Sequence, residues 1–392
     1  MQRNFFTRVF TVSLTIFAMM FGSGNLMFPP YLGIVMGQYT WLGFLGFILS
    51  GVVLPMLGLL AITSFDGDYR QFFGRLGSPL DKLSIFLCML AIGPVVIMPR
   101  IVMFSYEMLR PFMPLMISPL IFATAFATLV FLATFRPGKL LDIIGNFLSP
   151  LKILTLLLIV AAGIFWGTSP EQVTEMPFDL FMKAFIIGYQ TLDVLATIFF
   201  GAIIVHSLTK YAAVEERMTI KDAVKVTAVS SIFAGLLLSA VYAGMMLLGA
   251  YHGHGLGELA PNYGEIFSAI VLRILGAWGG AFISVSVFIA CFTTTVSLAA
   301  VVGEYVRDVA QQRISFAQAV AAILAICVFV AQFGLKQIVS FSLPLIVFFY
   351  PIIVVIVLCN LAYKMFGFKP IVVPVGLTTL VLVVQKLMQV WS

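Results

Sequence analysis

The sequence predicts an all-α polytopic membrane protein with about eleven transmembrane helices, and three observations carry that fold class. Of its 392 residues, 61% are hydrophobic and only 10% charged, whereas a soluble globular domain has about 45–50% apolar and about 25% charged residues. Mean hydropathy is +1.11. Apolar runs of the roughly 20 residues needed to cross a bilayer recur along nearly the whole chain. They are too long and too unalternating for barrel strands, and lipid tolerates no irregular backbone facing it. A soluble enzyme, a nucleic-acid binder and a disordered regulator are excluded by the same composition.

Charged and turn-forming breaks place the spans near 9–35, 41–64, 83–109, 118–135, 140–166, 181–208, 225–249, 274–302, 315–334, 339–363 and 370–390. The first begins like a secretory signal, with Arg3 and Arg8 before an apolar run. That run continues through Gly22 to Pro30 without a small-residue cleavage site, so it reads as a retained span. With the N-terminus inside, inner segments collect fifteen basic residues and outer loops only Arg110 and Lys336, which the positive-inside rule assigns to a cytoplasmic N-terminus. The net charge of +6 is explained by that bias, without an anionic partner. Cys88, Cys291, Cys327 and Cys359 lie within apolar runs, where buried thiols rather than disulfides are expected. There is no soluble domain and no Walker-type glycine loop, so uphill transport would draw on an ion gradient.

Two spans are interrupted. Gly22 and Gly24 lie midway through span one, beside Ser23 and Asn25, and Pro29 and Pro30 follow. Glycine weakens the helix and proline cannot donate to its ladder. Backbone freed at membrane depth needs protein, ion or ligand partners. A half-helix N-terminus suits a carboxylate, and freed carbonyls suit a small cation. The competing reading is close packing by small residues with a proline kink. In span six, Gly188, Gln190, Thr191, Asp193, Thr197 and Gly201 crowd polar and flexible residues into an apolar helix, with Phe200 as an apolar neighbour. A mid-membrane aspartate costs on the order of 2.5–3.5 kcal/mol, so Asp193 is expected to face the interior. It reads either as a countercharge to an ammonium or cation, or as the partner of Arg100 in span three. Units of five spans would be oppositely oriented, so spans one to five (9–166) and six to ten (181–363) form an inverted pair by spacing, with 370–392 as an additional span of a single 1–392 domain.

Span eight adds Thr293 and Thr294, whose hydroxyls suit a sodium cage or back-bonding to their own helix. Lesser signals are Gly93-Pro94, Pro99 before Arg100, Glu107, and Ser149-Pro150 between Asn146 and Lys152. The segment 250–273, with His252 and His254, is expected to fold over an outer entrance rather than to hold a metal. His206 is expected to be interfacial.

These interruptions, with Phe28-Pro29-Pro30, Leu343-Pro344 and Tyr350-Pro351, resemble the branched-chain amino acid:cation symporters, the system II carriers of leucine, isoleucine and valine. The resemblance covers spans one to ten. It implies a leucine-transporter-like five-plus-five inverted repeat in the amino acid-polyamine-organocation superfamily. It implies substrate at Gly22, Ser23, Gly24, Asn25, Gly188, Thr191, Asp193, Thr197 and Phe200. It places sodium between spans one and eight, at the carbonyls of Ala18, Phe21 and Ala290 and the hydroxyls of Thr293 and Thr294. Related carriers usually have a twelfth span, of which there is no sign here. The implied function is cation-coupled, sodium-driven import of branched-chain amino acids across a bacterial inner membrane, with no other cofactor, no enzymatic activity and no nucleic-acid partner. A proton-coupled or differently selective carrier, or a gated channel, stands as the alternative.

Overall fold

The computed structural model describes residues 5–135, 149–165, 167, 169–201, 205, 220–259 and 262–391. Asn146, His206 and the first part of the expected span five lie outside them, and the side chain of Lys152 is likewise outside the description. Among the described residues all regular structure is helical, and helices stand at each expected span. Six helical segments are long and apolar enough to cross a membrane, with shorter apolar helices at Pro119–Thr134, Leu154–Phe165, Phe316–Ala331 and Val372–Met388. Span six is the most enclosed of the six long segments, and span ten, Gly334–Phe366, the least. Large side chains such as Trp278, Phe329 and Leu377 point outward, which suits surface dissolved in lipid.

Because lipid tails are as apolar as leucine, helices in a bilayer gain little by hiding apolar surface and associate by close packing instead. Spans one and seven show this directly. A β-carbon on Gly33 would stand 1.8 Å from the Met246 carbonyl oxygen, and one on Gly249 would stand 1.8 Å from the Pro30 carbonyl oxygen. The two backbones touch through reciprocal glycines. Span six meets span two in the same way, since a β-carbon on Gly188 would lie 1.9 Å from Ser50 Oγ.

Among the described residues four spans depart from a continuous helix. Span one is Phe5–Met20 followed by Ser23–Met36. Span two carries a π-helical turn, Leu49–Val53. Span three is broken at Gly93 (φ −92°, ψ −128°), ahead of Ile97–Leu109. Span six is Pro177–Tyr189 and a second helical stretch from 193 to 201. The segment Tyr263–Val309 turns at Gly276 (φ 63°), so span eight begins just after that glycine, slightly later than expected. The short lead helix before it packs over spans one and three. Tyr263 contacts the rings of Phe28 and Tyr31 at 5.3 and 4.9 Å, and Gly264 abuts Glu107. His252 and His254 do not converge: His252 Nε2 meets the Gly163 carbonyl at 2.8 Å, while His254 bridges Glu171 Oε1 at 2.7 Å and the Ser169 carbonyl at 3.1 Å.

Candidate functional site

The two mid-span breaks face one another. The leading half of span one closes with Phe21 N–H donating to the Phe17 carbonyl at 2.8 Å. Gly22 is extended (φ −114°, ψ −165°), and the trailing half starts at Ser23 with no side chain capping it. The first N–H groups of that half-helix therefore lack the usual cap, at the positive end of its dipole. Its first-turn residues Ser23, Gly24 and Asn25 are buried. Gly22 lets the chain cross from one half to the other with no side chain of its own between it and Thr294 of span eight.

In span six the leading half ends in the turn Gln190–Leu192, where Leu192 is left-handed (φ 59°). A leucine in that region is strained, as residues at functional sites often are. Thr191 joins the two halves: its hydroxyl donates to the Gly188 carbonyl at 2.9 Å and accepts from the Asp193 N–H at 3.4 Å. Asp193 opens the second half and is buried. Its Oδ2 accepts from Asn25 Nδ2 at 3.1 Å, and the same amide nitrogen donates to the Tyr242 hydroxyl of span seven. The Asn25 amide thus has partners on spans six and seven.

Between the breaks lies a cavity with about 350 Å³ of non-atom space, counting the part open at its mouth. Gly22, Ser23, Gly24, Asn25, Thr191, Asp193 and Phe200, expected from the sequence, all line it, as does Thr294. Gly188 and Thr197 do not. Gly188 packs on Ser50, and the Thr197 hydroxyl donates to its own helix at the Val194 carbonyl (2.9 Å) beside Gly58 of span two. The structure thus gives those two residues helix-packing positions, because they sit on the span-two face of span six. Residues not expected there include Met20, Ile97, Ala196 and Leu298, which make the walls apolar. Arg100, the partner of Asp193 in one of its two readings, lines the same cavity and donates from Nη1 to the Gln190 carbonyl at 2.6 Å. Tyr242 had no signal of its own, being one aromatic in an apolar run.

Of the residues expected to hold a cation, Phe21, Ala290 and Thr294 lie near the contact of spans one and eight. A β-carbon on Gly22 would sit 3.7 Å from Thr294 Cγ2. The hydroxyls of Thr293 and Thr294 both donate to the Ala290 carbonyl, at 2.9 and 3.0 Å. Back-bonding commits the hydroxyl protons, but each hydroxyl oxygen keeps lone pairs. Phe21 and Ala290 border a second, mostly apolar opening beside Thr155 of span five and Ser286. Ala18 is in the last turn of the leading half of span one.

Paired half-helices around a central polar cavity, in a chain dissolved in lipid, define a membrane transport protein. Residues 6–391 match the family model described as branched-chain amino acid transport protein. The chain belongs to that family, a family of transport proteins and not of enzymes. It is 31% identical over 371 residues to the branched-chain amino acid permease BrnQ of Bacillus subtilis, covering 92% of this chain and 82% of the relative. It is 30% identical over 385 residues to the branched-chain amino acid transport system 2 carrier protein of Pseudomonas aeruginosa, covering 93% and 83%. Its fold matches that of Mhp1, a nucleobase-cation-symport-1 family transporter in a closed conformation with bromovinylhydantoin bound, with TM-score 0.64, 14% identity, and 91% and 78% coverage. It also matches MhsT in complex with L-phenylalanine, with TM-score 0.58, 16% identity, and 94% and 98% coverage. The leucine-transporter-like architecture expected from the sequence is the observed one.

Proposed function

We propose that this protein is a secondary active transporter that brings leucine, isoleucine and valine into the cytoplasm together with sodium, by alternating access in a bacterial inner membrane. The observation that carries the proposal is the meeting of two broken helices at one apolar-walled cavity. An uncapped helix N-terminus stands on one side and a buried carboxylate on the other. A free amino acid has the complementary pair of charges. Its carboxylate goes to the backbone N–H groups at Ser23 and Gly24, its ammonium to Asp193, and its aliphatic tail to Phe200, Ile97 and Leu298. Enclosing an aliphatic side chain is worth about 1.5–3 kcal/mol. That prefers leucine over glycine and separates leucine from valine only weakly.

Spans one to five and six to ten act as the inverted pair, with breaks at corresponding positions, and the N-terminus is cytoplasmic. The coupling ion sits between Phe21, Ala290, Thr293 and Thr294, near the carbonyl end of the first half-helix. One cation moving down 100 mV releases about 2.3 kcal/mol, and a tenfold gradient adds about 1.4 kcal/mol. Together they sustain accumulation of several hundredfold at one-to-one coupling. A second reading, in which a proton replaces sodium, is favoured by the full burial of Asp193, a titratable group within the cavity.

Uptake of labelled leucine into proteoliposomes under imposed ion gradients tests both. Sodium-stimulated, saturable uptake that falls at least tenfold in the Thr293→Ala, Thr294→Ala double variant is expected. Full sodium dependence in that variant refutes the ion site. Uptake driven by a proton gradient alone replaces the first reading with the second.

A further inference from the structure

We infer that Arg100 is the side-chain anchor of the substrate carboxylate, so that the cavity reads both charges of a zwitterion, with Arg100 opposite Asp193. This rests on the reading of the cavity as an amino-acid site and adds a residue that the helix breaks alone do not supply. Arg100 is 1% exposed, in the half of span three that follows the Gly93 break. A guanidinium carries five N–H donors in a rigid fork. One terminal nitrogen, Nη1, is used on the Gln190 carbonyl at 2.6 Å. Nε is buried and has no hydrogen-bond partner among the described residues. Nη2 lies 3.4 Å from where a β-carbon of Gly24 would stand, in the first turn of the uncapped half-helix. The guanidinium carbon also sits over the Phe28 ring, 5.5 Å from its centroid.

Asp193 attracts this charge, but among the described residues no hydrogen bond or ion pair within 4 Å joins the two: Asp193 Oδ2 accepts from Asn25, and Arg100 Nη1 donates to the Gln190 carbonyl. A cation buried at membrane depth faces the bundle interior and marks a ligand path when its own side chains leave it unpaired. Here Nη2 of the same guanidinium stands beside Gly24, in the first turn of the trailing half-helix. Two positive groups from different spans converge beside Gly24, and an anion between them satisfies both. The apolar walls make a charge-assisted, two-point contact with a carboxylate stronger than it would be in water. A β-carbon on Gly24 would stand 3.3 Å from the Thr191 backbone and 3.4 Å from the guanidinium, so those neighbours would have to give by a few tenths of an ångström.

The alternative is structural: Arg100 serves only to hold the carbonyl end of the first half of span six. The two roles differ in what they do to ligands lacking a carboxylate. Competition binding to the purified protein, with labelled leucine displaced by leucine, leucinamide and other zwitterionic amino acids, separates them. Wild type is expected to bind leucine about 10- to 100-fold more tightly than leucinamide, the range of a charge-assisted contact. In Arg100→Gln, leucine affinity falls by that factor while leucinamide affinity stays within about twofold, so the preference shrinks to what the backbone N–H groups at Ser23 and Gly24 retain. Arg100→Lys recovers part of it. Equal weakening of leucine and leucinamide in Arg100→Gln overturns the assignment and leaves the amino-acid site intact. If neither variant folds, wild type binding leucinamide as tightly as leucine overturns it equally. A wild type that binds another zwitterion but not leucine refutes the branched-chain substrate alone, and the same comparison with that amino acid and its amide decides the role of Arg100. A wild type that binds no zwitterion overturns both readings.

Discussion

Replacing Gly249 with alanine tests whether the broken span is held in place by backbone contact. In an ordinary helix interior, glycine to alanine gains up to about 1 kcal/mol, because the more flexible residue loses more entropy on folding. At Gly249 the added methyl would lie 1.8 Å from the Pro30 carbonyl oxygen, whereas ordinary contact starts near 3.4 Å. Spans one and seven must therefore part by about 1.6 Å, and neither neighbour is a side-chain tip that can swing away. Overpacking of this kind costs about 1–3 kcal/mol, which corresponds to a fall of roughly 2–6 °C in melting temperature. The displaced element is Ser23–Met36, whose first turn lines the cavity, so leucine uptake should fall at least tenfold. Gly235→Ala is the control: its β-carbon would meet Val52 Cγ1 at 3.3 Å and otherwise the flexible Met56, and its melting temperature should stay at or above wild type. Both are read by thermal unfolding in detergent at one scan rate, alongside proteoliposome uptake. Wild-type stability and uptake in Gly249→Ala would refute the idea that reciprocal glycines set the position of the half-helix.

Two further outcomes follow from the contacts around the site and at the bundle end. Tyr242→Phe removes a hydroxyl that accepts from the Asn25 amide. A net hydrogen bond is worth about 1 kcal/mol, so the leucine KM should rise by about fivefold with little change in melting temperature. Arg75 fixes the connection after span two to the end of span ten through Asn360 Oδ1 (2.9 Å), the Phe368 and Lys369 carbonyls (2.9 and 3.0 Å) and the Tyr363 ring. Arg75→Lys cannot reproduce that fork and should cost about 1–2 kcal/mol. Arg70→Ala, which breaks an exposed pair with Asp308, should cost less than about 1 kcal/mol. Equal thermal shifts in the two variants would contradict this ranking.

The positions of the two helix breaks were legible because glycine, proline and polar residues in the middle of an apolar run conflict with lipid whatever surrounds them. Asn25, Thr191, Asp193 and Phe200 could be assigned to one cavity by spacing and resemblance together. Gly188 and Thr197 could not be separated from them in that way, since polar residues one turn apart look alike until a neighbouring helix takes one face. The same ambiguity hid the partner of Arg100. Charge alone pairs it with Asp193, while the turn at Gln190 offers it a carbonyl and leaves the rest of its donors to the cavity.

The sequence by itself determined that the chain lives in a bilayer, where its spans lie, and which of them cannot run straight. Those properties depend on composition and local backbone chemistry, and each span faces the same solvent whatever its neighbours. Only the tertiary structure decided which polar side chains turn towards the gap, that Arg100 lines it, and that the Tyr242 hydroxyl takes the Asn25 amide. Such choices depend on rotation about each helix axis, which is set by packing between backbones at places such as Gly33 and Gly249, and no single helix carries that information alone.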